Sequence, residues 1–146
     1  MNKYLVIFAT MFAMLTTSAL ADKRYRQSGV LAKIDLSSQR MKVYQNGRLK
    51  YTWKISTARK GYRTPLGNYR PTRMYKRYFS KKYYNSPMPH SIFFRGGYAI
   101  HGTNAEKRLG RVASHGCVRL SKKNAAKLYS MVQRSGRNRT RIKVVR

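Results

Sequence analysis

The sequence predicts a mainly β domain, a sandwich or barrel of short strands with one principal helix. Three observations carry that expectation. Apolar residues alternate with polar ones in several short runs, Gly- and Pro-containing turns separate those runs, and one stretch alone repeats apolar residues at helical spacing. The 146 residues fit one domain, and no internal repeat is visible.

Val30, Ala32, Ile34 and Leu36 alternate with Lys33 and Asp35, the pattern of a half-buried strand. Met41 and Val43, then Leu49, Tyr51, Trp53 and Ile55, give two more such runs. Asn46-Gly47 lies between them, and both residues tolerate positive φ, so a hairpin is expected there. Residues 59–68 are turn-rich. Residues 69–75 read as a further strand, which Pro71 would place at a sheet edge. Residues 92–94 and 98–100 are apolar and bracket Gly96-Gly97, a second hairpin. Ser121 can N-cap a helix in which Ala125, Leu128, Tyr129 and Val132 recur before Gly136 stops it. Thr140, Ile142 and Val144 make the last strand.

Residues 1–21 form a separate unit. Lys3 supplies a positive start, residues 4–15 are an almost unbroken apolar run, and Ala19-Leu20-Ala21 is a small-x-small cleavage pattern. The run is short of the ~18–20 residues that span a bilayer, so a cleaved signal peptide is expected rather than an anchor. The domain plan is then a signal peptide at 1–21, a short segment at 22–28 and one domain at 29–146. The mature chain would be periplasmic or cell-wall associated, with no transmembrane span.

Charge narrows the functional classes. There are 33 Lys and Arg against three acids, a formal net charge of +30. Such a balance points to a polyanionic partner, or simply to a solvated basic surface. Export makes anionic envelope polymers the better candidates and disfavours nucleic acid. Three scattered acids argue against paired-carboxylate chemistry and against carboxylate-rich metal sites. One cysteine excludes an internal disulfide and a multi-cysteine zinc site. Residues 75–84, YKRYFSKKYY, interleave rings and cations. That pattern suits stacking on bases or sugars, a flap beside a site, or an ordinary surface loop.

Cys117 is the informative residue. It follows Ser114-His115-Gly116 in a tight polar turn, and His101 ends an apolar run sixteen residues earlier. A buried inert cysteine is the plain alternative. A cysteine nucleophile needs a base or cation to favour its thiolate, and two histidines with a positive field would supply both. Backbone N–H groups around Gly116 and Cys117 are natural oxyanion donors. Spacing alone leaves a His/His/Cys zinc site open.

Ile100-His101-Gly102-Thr103 followed by Ser114-His115-Gly116-Cys117-Val118-Arg119-Leu120 resembles the signature of L,D-transpeptidase (YkuD-type) catalytic domains. Thr64-Pro65-Leu66-Gly67 and residues 93–100 are also similar to stretches of that family. The resemblance runs from about Gly29 to the last strand. It implies an L,D-transpeptidase-like β-rich fold with its helix after the catalytic cysteine, and a peptidoglycan tetrapeptide-stem substrate. It implies Cys117 as nucleophile and His101 as base and acid, its ring oriented by a carbonyl near Gly102. His115 and Gly116 would shape the oxyanion site, Ser114 would support the turn, and Arg119 and Thr103 would bind substrate. A thioester at Cys117, with release of D-Ala, would pass to an amine acceptor as a 3–3 cross-link. No metal or cofactor is expected. A non-catalytic polyanion-binding protein and a cysteine peptidase or amidase of the wall are the alternatives. His90 has no counterpart in the motif and reads as structural.

Overall fold

The computed structural model describes residues 29–146. The expected signal peptide at 1–21 and the segment at 22–28 lie outside the described residues.

Strands β1 (Val30–Asp35), β2 (Arg40–Gln45) and β3 (Arg48–Lys54) form an antiparallel meander. Its first corner is tied by Asp35, whose carboxylate accepts hydrogen bonds from the Ser37 N–H and hydroxyl and from the Ser38 N–H. Its second corner is the expected Asn46-Gly47 turn, with both residues at positive φ. Strands β4 (Gly67–Tyr69) and β11 (Thr140–Val145) complete a five-stranded sheet in the order β3-β2-β1-β11-β4, in which β1 and β11 run parallel.

A second sheet has the order β10-β9-β8-β5, built from β5 (Arg73–Tyr75), β8 (Ser91–Arg95), β9 (Tyr98–Thr103) and β10 (Val118–Ser121). The Gly96-Gly97 hairpin joins β8 to β9, and β9 pairs with β10 in parallel. Between β5 and β8, a short ribbon of β6 (Phe79–Ser80) and β7 (Ser86–Pro87) carries a 3-10 turn at Lys81–Tyr83.

Residues 69–75 differ from expectation. They are not one edge strand but the last residue of β4 and the whole of β5, which belong to different sheets. Pro71, buried between them, has no N–H to extend a ladder, and the chain changes sheet there.

The core fills the space between the sheets. Val30, Ile34, Met41, Val43, Trp53, Ile142 and Val144 from one sheet meet Ile92, Phe94, Ile100, Val118 and Leu120 from the other. Helix α1 (Lys122–Ser135) adds Ala125, Leu128, Met131 and Val132 to the same cluster. Ser121 Oγ caps it by accepting the Asn124 N–H at 3.1 Å, and Gly136, at φ +88°, ends it. The domain is thus a mainly β sandwich, with one α-helix among the described residues, after Cys117. With one face of each sheet committed to the core, alternate residues point outward. On the four-stranded sheet that outward set includes Phe93, Ala99, His101 and Arg119.

Candidate active site

Arg119 on β10 is the register partner of His101 on β9, so their side chains share the outer face. Cys117 lies two residues before Arg119 and therefore projects on that face too. It packs beside Met88, Phe93 and Ala99, apart from the main core. A cavity of about 450 Å³ opens over this face, lined by Cys117, His101, Arg119, Ser114, His115 and Thr103. Gly97 and Tyr98 contribute to its wall, and Ser80, Lys82 and Tyr83 of the ribbon form a second side. The ribbon segment is therefore part of the cleft rather than a remote loop.

His101 is 7% exposed, and its Nδ1 lies 2.7 Å from the carbonyl oxygen of Gly102. A carbonyl only accepts, so Nδ1 carries the proton and Nε2 is left as the basic nitrogen. Burial lowers the imidazole pKa to about 4. The Gly102 carbonyl opposes that shift and the Arg119 charge adds to it. The ring is neutral at pH 7.

The Cys117 thiol lies 3.7 Å from the Gly97 carbonyl oxygen. Burial pushes its pKa up, against smaller downward pulls from the Ala99 backbone N–H and the Arg119 charge. This differs from the expected thiolate. Desolvation outweighs the positive field, so a neutral thiol and a neutral imidazole share the cleft.

The turn that presents Cys117 is held from several sides. The buried Ser114 hydroxyl donates to Cys117 O at 2.7 Å and accepts the Gly116 N–H at 3.0 Å. The Gly116 N–H is thus already engaged, a correction to its expected part as a free oxyanion donor. Gly116 sits at φ +131°, and a Cβ there would lie 2.6 Å from Tyr98 Cε1 and 2.8 Å from Arg63 O. The buried Thr64 hydroxyl donates to Gly116 O at 2.8 Å and accepts the Ala58 N–H at 3.1 Å. Thr57 O accepts the N–H groups of Ala113 and Ser114, and Thr57 is fixed in turn by the buried amide of Gln39.

His115 is held by rings. Tyr83 stacks on it at 4.5 Å with planes 9° apart, and Tyr62 meets its edge at 4.6 Å. Burial and then the charges of Arg59, Arg119 and Lys82 keep its pKa low. Arg119 exchanges two backbone hydrogen bonds with Ser56, while its guanidinium donates to Ala113 O at 3.4 Å on the cavity wall. Thr103 Oγ1 accepts the Ala105 N–H at 3.1 Å. Gly102 lets β9 approach α1, since a Cβ would lie 3.2 Å from the Lys122 Cα.

The structure brings Cys117, His101, His115, Ser114, Arg119 and Thr103 to one cleft and leaves His90 outside it, edge-on to Tyr129. The described acids are also elsewhere. Asp35 ties a turn, and Glu106 accepts the Lys122 N–H at the start of α1. Among the described residues, no three of His, Cys, Asp and Glu gather where they could hold a metal ion, and no helix is long and apolar enough to cross a membrane. Sequence reasoning missed Gln39 and Thr57, and it read Thr64 only as part of a turn. A polar residue amid apolar alternation was the available signal, and it is weak.

Fold and cleft together define a β-sandwich domain built around a cysteine and a histidine on one sheet face. The chain belongs to the L,D-transpeptidase catalytic domain (YkuD) family, whose model matches residues 29–144. Solved L,D-transpeptidases share the fold. The enzyme from Mycobacterium smegmatis is 22% identical, with a TM-score of 0.73 over 82% of this chain and 59% of its own. That from Stackebrandtia nassauensis is 26% identical, with a TM-score of 0.71 over 82% and 56%. That from Xylanimonas cellulosilytica is also 26% identical, with a TM-score of 0.67 over 81% and 61%. The chain thus spans less than two thirds of the length of these relatives. No curated protein matches it.

Proposed function

We propose that this protein is a cysteine-dependent L,D-transpeptidase acting on peptidoglycan stem peptides. The observation that carries the reading is that Cys117 and His101, the latter in its base-competent tautomer, line one cavity on one sheet face.

With thiol and imidazole both neutral, proton transfer accompanies attack rather than preceding it. His101 Nε2 takes the Cys117 proton as Sγ bonds to the carbonyl carbon before the terminal D-Ala of a tetrapeptide stem. The tetrahedral oxyanion is met by N–H groups of the His115–Cys117 turn other than that of Gly116, which Ser114 holds. Collapse breaks the C–N bond, the imidazolium returns its proton to the departing amine, and D-Ala leaves. The side-chain amine of diaminopimelate on a second stem then attacks the thioester. His101 takes one proton from that amine and restores it to the thiol as the 3–3 link forms. A lipoprotein lysine or water in place of that amine gives the related outcomes. Arg119, on the cavity wall, holds a substrate carboxylate through a charge-assisted pair, and Thr103 offers a hydroxyl beside it. Ser114, Gly102 and the His115 stack position these groups. No metal or cofactor takes part. Residues 1–21 direct export, and the mature chain works in the periplasm or at the wall.

The test incubates the protein with tetrapeptide muropeptides and follows D-Ala release and dimer mass. Wild type is expected to release D-Ala and form dimers, and Cys117→Ala to do neither. Identical products from the two proteins sink the reading.

A further inference from the structure

The ribbon side of the cleft carries a charge that the reaction proposed above leaves unused. Lys82 stands in the 3-10 turn at the ribbon tip and lines the cavity on that side, whereas Arg119 lies on the sheet side. Its Nζ is 5.6 Å from the centre of the Tyr83 ring, and that ring stacks on His115 at 4.5 Å. The charges of Arg59, Arg119 and Lys82 all bear on His115. Among the described residues, no carboxylate lines this cavity to balance them. The ribbon that carries Lys82 is anchored at its base. The Met88 N–H donates to Tyr78 O at 2.8 Å, and the Tyr78 ring meets Phe93 edge-on at 5.0 Å.

Lys82 also has neighbours of a second kind. Ser80 and Ser86 line the same side, and Ser86 Oγ donates its proton to Tyr83 O at 2.6 Å, so toward any further partner it acts as an acceptor. A cation beside hydroxyl acceptors suits a group with a carboxylate and an ammonium on one carbon, the end group of an amino acid, whereas a simple anion would use the lysine alone. The donor stem proposed above brings such a group. In a 3–3 link between like stems, the residue before the terminal D-Ala is diaminopimelate, a seven-carbon chain with a carboxyl and an amine at each end. One carboxyl is the carbonyl that Cys117 attacks, and the other stays free beside the side-chain amine. Six C–C bonds of ~1.5 Å separate those two carbons, roughly 7–8 Å when extended. That reach fits within a cavity of about 450 Å³ and carries the free end away from Cys117. Arg119, two residues from the nucleophile, is left for the carboxylate of the terminal D-Ala.

We propose that Lys82, beside the Ser80 and Ser86 hydroxyls, binds the free amino-acid end of diaminopimelate in the donor stem. It thereby selects diaminopimelate stems over lysine stems, which lack that carboxylate. The inference rests on the stem-peptide reading above and adds to it which donor the cleft prefers.

The test follows D-Ala release by the full chain from three tetrapeptides that differ in the third residue: diaminopimelate, diaminopimelate amidated on its free carboxyl, and lysine. Wild type is expected to show kcat/KM about tenfold higher for the diaminopimelate tetrapeptide than for the other two, the worth of one charge-assisted hydrogen bond. Lys82→Gln is expected to bring both ratios to about 1, chiefly by raising KM for the diaminopimelate tetrapeptide. Lys82→Arg is expected to keep most of the preference. Lys81→Gln removes the same charge from the neighbouring exposed position, outside the cavity lining, and is expected to keep all of it. Each ratio is taken within one protein, so a loss of folded material cancels. Equal losses in Lys81→Gln and Lys82→Gln would show diffuse charge and overturn the assignment. So would wild-type ratios within about twofold of unity, or a preference that survives in Lys82→Gln. No D-Ala release by wild type from any of the three would instead sink the stem-peptide reading, and this inference with it.

Discussion

Replacing Gly116 with alanine puts a methyl group where the fold has left no room. The new Cβ would lie 2.6 Å from the Tyr98 ring and 2.8 Å from the backbone oxygen of Arg63. Carbon contacts normally settle at ~3.5–4.0 Å, so something must move by about 1 Å. The Tyr98 ring is half-buried and can yield, but the Arg63 carbonyl belongs to the chain leading into Thr64, which holds the same turn. Overpacking of this kind costs about 1–3 kcal/mol. The backbone adds its own strain, since φ +131° is a region open to glycine and costs other residues about 1–3 kcal/mol. Together these give a destabilisation of about 4 kcal/mol, a large part of the ~5–15 kcal/mol that holds a domain folded. For a domain of this size the melting temperature should fall by roughly 15 °C. Scanning calorimetry reads that shift, and D-Ala release at a temperature where both proteins are folded reads the turn. Gly97→Ala is the matched control, because its Cβ would meet nothing within 4 Å. If Gly116→Ala melted within 2 °C of wild type and released D-Ala at the same rate, the close packing of this turn would be refuted.

His101 should give stability a pH dependence. Its ordinary value of 6.5 falls to about 4 in the fold, so between those values the unfolded chain binds a proton that the native ring refuses. Stability is complete above 6.5 and drops as pH falls toward 4, by about 3 kcal/mol. Urea titrations across that range should show the loss in wild type and a smaller one in His101→Gln, and parallel curves would contradict the burial argument. Alkylation of Cys117 by iodoacetamide should be slower than that of free cysteine at pH 7 and should climb on the alkaline side of the ordinary thiol range. A fast plateau extending below pH 6 would instead reveal a preformed thiolate–imidazolium pair. Thr64→Val leaves the Ala58 N–H without its acceptor and frees the Gly116 carbonyl, at a cost of about 2 kcal/mol, whereas Thr64→Ser keeps the hydroxyl and most of the stability. Chemical denaturation separates the two.

Local chemistry was legible in the sequence. Alternation found β1, β2, β3 and β11, Asn46-Gly47 and Gly96-Gly97 found their hairpins, and Ser121 and Gly136 bounded the helix. The cysteine and its two histidines were legible because the sequence holds one cysteine and three histidines, and two of those histidines stand two and sixteen residues before the cysteine. What escaped depends on partners far apart in the chain. Nothing near Pro71 shows that one strand-like stretch serves two sheets, since each half finds its partner in a distant strand, β4 in β11 and β5 in β8. The thiolate expectation failed for the same reason. A positive net charge is read from composition, but the burial that outweighs it is a property of the folded cleft. Thr64, Thr57 and Gln39 look unremarkable in sequence and matter through bonds to the turn, or to what holds it.

The bond from Thr64 to Gly116 spans 52 residues, and the parallel pairing of β1 with β11 spans more than a hundred. Contacts of such long sequence separation form late, after the costly closure of large loops. The Cys117 turn therefore gains its full set of supports only once the loop between Thr64 and Gly116 has closed. Until it does, the chain carries an ordinary, unpositioned thiol with no base aimed at it. Assembly of the fold and placement of the Cys117 thiol in one cleft with His101 are therefore a single event.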